Sequence, residues 1–73
     1  MGEKFSIRLN ILDRFYPLKV NPNEEENIRK AAKMINERVL LYKQKYSTKD
    51  IQDFLAMTAL QLGTKLLDNE TKQ

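Results

Sequence analysis

The sequence predicts an α+β domain, a β-hairpin followed by two α-helices, that oligomerises through its second helix. Three observations carry that expectation. Residues 5–12, "FSIRLNIL", and 15–20, "FYPLKV", alternate apolar and polar positions with the period of a half-buried strand. Apolar residues then recur every three or four positions from Ile28 onward, as on one face of a helix. Finally, "FLAMTALQLGTKLL", residues 54–67, is apolar around more of a helix than one subunit covers.

In the first run Phe5, Ile7, Leu9 and Ile11 share one face, and Ser6, Arg8 and Asn10 the other. Asp13 and Arg14 make a polar break, after which Tyr16, Leu18 and Val20 point inward. The two runs form a hairpin over about residues 5–20. Pro17 has no N–H to donate, so its nitrogen must face away from the other strand. A lone hairpin is marginal in water, and its apolar face needs a cover.

Helix one is expected over about residues 22–46. Asn21 is a capping residue, Pro22 suits the first helical position, and Glu24 has capping-box spacing. Glutamates open the helix and Lys43 and Lys45 close it, both favourable to the helix dipole. The stripe runs Ile28, Ala31, Ala32, Ile35, Val39, Tyr42, Tyr46, with Met34, Leu40 and Leu41 off it. In "STKD", Ser47 or Thr48 is the expected cap of helix two, which spans about residues 48–68.

On helix two, Ile51, Leu55, Thr58, Ala59, Leu62 and Leu66 share one face, expected to pack on helix one and the hairpin. A second row, Ala56, Leu60, Gly63 and Leu67, lies beside it at the spacing of a coiled-coil seam. Together they span roughly 200° of the helix, against about 100° for an ordinary surface helix. The second row is therefore read as the oligomer interface, where small residues allow close approach. In the competing reading the hairpin folds over this row within one subunit. The pattern runs into "DNETKQ" without a glycine or proline stop, as in a helix frayed or cut short of a longer one.

Seventy-three residues form one domain at most, with a core marginal by itself. With no cysteine and no histidine, disulfides and the usual zinc ligands are missing. Two glycines cannot build a phosphate loop, and no acidic spacing matches a calcium loop. The glutamates at 24–26, and Asp50 and Asp53, are explained by helix N-termini. No catalytic residue, metal or cofactor is expected. The expectation is a binding or scaffolding module in the cytoplasm: there is no signal peptide and no membrane span. "MGEKFS" fits a myristoylation pattern and "NET" a glycosylation sequon, but a core strand and an unexported chain argue against both.

The net charge of +3 neither requires nor excludes an anionic partner. One binding class is a ribbon-helix-helix transcriptional regulator. There Ser6, Arg8 and Asn10 would enter the DNA major groove, with a phosphate at Ser47 and Thr48. A second strand, a long first helix and a modest charge weigh against it, so no nucleic acid is expected.

The other class comes from a resemblance. "IRLNILDRFYPLKV", "EEENIRKAAKMINERV" and "DFLAMTALQL", in this order and at these gaps, resemble the head domain of the ZapA family. Its first-helix motif is matched by Ala31, Ala32, Ile35, Asn36, Glu37, Arg38 and Val39, and its second-helix motif by Thr58, Ala59 and Leu60. The resemblance implies a bacterial cell-division protein that binds the tubulin-like FtsZ and cross-links its filaments in the midcell ring. It also implies a dimer through this head, and tetramers through a C-terminal coiled coil whose continuation is missing after residue 73. The family's turn glycine is replaced by Asp13, and the following arginine, implicated in contacting FtsZ, stands here as Arg14. Lys43, Lys45 and Lys49 surround the interhelical loop as a second patch for an acidic partner, a role that competes with plain helix-end electrostatics.

Overall fold

Alternation in the first twenty residues becomes a two-stranded antiparallel sheet. The computed structural model describes residues 3–46 and 50–71, and places β1 at Phe5–Ile11 and β2 at Arg14–Val20. Pairing runs from Phe5 opposite Val20 to Ile11 opposite Arg14, which leaves a two-residue turn. That turn is Leu12–Asp13, one residue earlier than the polar break Asp13–Arg14 suggests. Both have positive φ, 54° and 68°, as a type I′ turn requires to match the twist of the strands. Arg14 is thus the first residue of β2 rather than part of the turn.

Next comes a single 3₁₀ turn at Pro22–Glu24, and then α1 at Glu25–Lys45. The Glu24 carboxylate accepts the Asn21 N–H at 3.1 Å, while the Glu24 N–H reaches the Asn21 carbonyl at 2.9 Å. Proline at the first helical position explains the tight start, because it lacks only an N–H that would have no partner there. Glu25 with Arg29 and Glu26 with Lys30 form exposed ion pairs one helical turn apart. Each contributes a few tenths of a kcal/mol.

α2 runs from Ile51 to Thr71, starting and ending about three residues later than expected. Its cap is Asp50: Asp53 N–H donates to Asp50 Oδ1 at 3.0 Å, and Asp50 N–H to Asp53 Oδ2 at 3.3 Å. The two aspartates form a reciprocal capping box. Ser47 and Thr48, the expected caps, lie outside the described residues, as does Lys49.

The chain divides into two compact units, Met1–Glu37 and Arg38–Gln73. In the first, Ile7, Leu9, Val20 and Ala32 form a buried cluster, flanked by Ile11 and Ile28. The strand faces follow the sequence pattern, but the cover is uneven. Tyr16 and Leu18 share the inner face with Leu9 and Ile7 by register, yet remain exposed. In the second unit the buried residues are Val39, Phe54 and Thr58. The Tyr42 hydroxyl donates to Gln61 Oε1 at 3.3 Å, tying α1 to α2 there.

Candidate partner-binding surfaces

Among the described side chains of α2, only Phe54 and Thr58 are buried, with Met57, Gln61 and Leu62 half-buried. The covered face therefore centres on Phe54, Thr58 and Gln61, one step round the helix from the expected stripe. Ile51, Leu55, Ala59 and Leu66, expected on that stripe, are exposed. Size accounts for the shift: Phe54 has the largest apolar side chain on the helix and takes the buried place. Thr58 follows it by one turn, and its hydroxyl is buried without a hydrogen-bond partner.

The second row is exposed. Leu60 is 73% exposed and Leu67 61%, and Ala56 and Gly63 are exposed beside them. With Ile51, Leu55, Ala59 and Leu66 they make an apolar arc of roughly 180° facing away from the covered face. Gly63 sharpens the point, because a Cβ built there meets no atom within 4 Å. Glycine inside a helix costs about 1 kcal/mol relative to alanine, and nothing among the described residues requires it. Gly63→Ala is expected to raise the thermal stability of the single chain by a few degrees and, if copies pack along this row, to weaken their association. Melting at low concentration together with sedimentation velocity measures both effects.

The cationic residues fall in different places. Arg14 is exposed on the hairpin. Lys43 and Lys45 are both exposed at the end of α1, but two residues is about 200° of helix, so they point to nearly opposite sides. Lys45 is grouped instead with Arg38, two turns earlier. The two line an open concavity of about 400 Å³ with Leu41, Tyr42, Gln44 and Gln61. A second, more apolar groove of about 540 Å³ joins Tyr42, Tyr46, Met57 and Leu60 to Gln61, Thr64 and Lys65. Tyr42 and Tyr46 meet there with ring centroids 6.3 Å apart. Neither lining includes a carboxylate. Among the described residues, Arg14, Arg38, Lys43 and Lys45 take part in no ion pair. Arg14, Lys43 and Lys45 are exposed and Arg38 is half-buried.

The lysines near the loop, Lys43, Lys45 and Lys49, draw attention away from Arg38. The signal that finds it is the seven-residue spacing to Lys45, two full turns on one side of a helix. The DNA reading meets a geometric obstacle. Ser6, Arg8 and Asn10 sit opposite Lys19, Pro17 and Phe15 of the same chain, so the ribbon closes within one subunit. The Arg8 guanidinium lies 4.6 Å from the centre of the Phe15 ring, held as a cation–π pair. No helix of the described residues is long and apolar enough to cross a membrane.

A family model described as cell division protein ZapA matches residues 7–73. No curated protein and no solved structure matches the chain. The match takes in both strands from Ile7 onward and both helices, and with it this hairpin-and-two-helix chain belongs to the ZapA family of cell-division proteins.

Proposed function

We propose that this chain is a non-enzymatic head domain that contacts FtsZ filaments and, by self-association, holds them together in the cytoplasmic midcell ring. The family match carries the reading. Arg14 at the hairpin, Lys43 and Lys45 at the end of α1, and Lys49 in the sequence between the helices are the residues proposed to meet an acidic surface on the filament, with Arg38 joining Lys45. The Ala56, Leu60, Gly63 and Leu67 row is the proposed seam between copies. Its exposed leucines support that role, because a small domain leaves large apolar side chains in water where a partner covers them. A contact that is weak in one head becomes effective when two heads share one body, since the second contact forms at high effective concentration.

The test is co-sedimentation with GTP-assembled FtsZ at moderate salt, with non-specific duplex DNA alongside. The chain is expected to pellet with filaments and to bind DNA negligibly. Arg14→Ala is expected to lower the pelleted fraction several-fold, as loss of a charge-assisted contact does. Tight, salt-sensitive DNA binding without filament binding would overturn the proposal.

A further inference from the structure

Asn36 lies on α1, half-buried, and reaches back to the hairpin. Its Oδ1 accepts the Leu12 N–H at 2.8 Å, and its Nδ2 donates to the Asn10 carbonyl at 2.9 Å. These two bonds span 24 and 26 residues of sequence and straddle Ile11, just before the turn. A primary amide offers an acceptor oxygen and a donor nitrogen side by side in one plane, and the two main-chain groups permit only this orientation. An aspartate would keep the acceptor but set a carboxylate oxygen against the Asn10 carbonyl.

The turn needs such a support. Leu12 holds a φ of 54°, a left-handed conformation that strains a residue with a Cβ, and Asp13 follows at 68°. Hairpin turns of this type favour Asn-Gly, whose residues adopt these angles easily, and Leu-Asp does not share that ease. Two hydrogen bonds from one side chain offset such strain. The latch therefore compensates locally for what the turn residues lack, and the next residue after the turn is Arg14.

We propose that Asn36 is a positioning residue for the partner contact: it locks Leu12 and Asp13 in the left-handed region and so sets the direction in which Arg14 leaves the turn. This rests on the reading that Arg14 meets the filament. The latch itself does not, and the two are separable.

The experiment is NMR of the isotope-labelled 73-residue chain with Asn36→Ala, Arg14→Ala, and Asn36→Ala combined with Leu12→Asn and Asp13→Gly. Hydrogen exchange reads the latch. Selective broadening of the Arg14 and Phe15 amides on adding GTP-assembled FtsZ reads the contact. Asn36→Ala is expected to speed exchange at the Leu12 amide about tenfold, with little change in the rest of β1 and β2. Broadening at Arg14 should weaken about as much as Arg14→Ala weakens it at Phe15. The combined variant, whose turn needs no latch, should recover the broadening without recovering Asn36.

Unchanged exchange at Leu12 overturns the latch. Exchange that rises equally through both strands marks a general loss of stability, and overturns a positioning role. Local release at Leu12 with undiminished broadening leaves the Arg14 contact standing and sinks the positioning. No selective broadening in the unaltered chain overturns the contact at Arg14, and the positioning with it, while the exchange result still stands.

Discussion

Leu60→Asp is expected to abolish self-association while leaving the subunit folded. Leu60 is the most exposed of the large hydrophobic side chains, so a carboxylate there meets water in the single chain and disturbs no buried contact. In an assembly seamed along this row, the same change places a charge in an apolar contact. Losing one buried leucine costs about 1.5–3 kcal/mol, and a two-fold interface loses two. The unpaired charges add to that. Association should weaken by more than a hundredfold, as measured by sedimentation equilibrium, with far-UV circular dichroism still helical. A variant that associates as tightly as the parent would show that the seam lies elsewhere on α2.

Phe54→Ala, six residues earlier on the same helix, should behave in the opposite way. Phe54 is 2% exposed within its own chain, so the change opens a cavity whether or not a second copy is present. Truncation of a buried phenylalanine costs about 3–5 kcal/mol. A 73-residue chain has only about 4–11 kcal/mol of total stability. The variant is expected to lose much of its cooperative thermal transition at every protein concentration. A melting temperature within a few degrees of the parent would mean that α2 is not anchored through this residue. The contrast between the two substitutions separates what holds the subunit from what joins subunits.

The sequence made some of this plain and hid the rest for identifiable reasons. Ile7, Leu9 and Val20 were legible as core because strand alternation puts them on one face. Ala32 and Val39 were legible because helix periodicity does the same. The turn was harder: Asp13 looked like its first residue, yet Leu12 occupies the first left-handed position. A leucine gives no local signal for that conformation, and what sustains it is an amide 24 residues away. Asn36 could be quoted as part of a family motif, but no spacing rule connects a helix asparagine to a hairpin turn. On α2, the sequence pattern favours a stripe through Leu55, Thr58 and Leu62, because polar Gln61 shares the face of Phe54 and leaves it no continuous apolar row. Lys43 and Lys45 were grouped by adjacency, where the helix turns them apart.

By itself, then, the sequence determined the element order, the strand faces, the excess of apolar surface on α2 and the absence of histidine and cysteine chemistry. These are local properties, written in periods of two and of three to four residues and in composition. Only the tertiary structure decided which third of α2 is covered and that Asn36 clamps the turn beside Arg14. Those outcomes depend on which groups meet across long stretches of chain. There, one large side chain or one amide with matched donor and acceptor outweighs the small local preferences on which a sequence pattern rests.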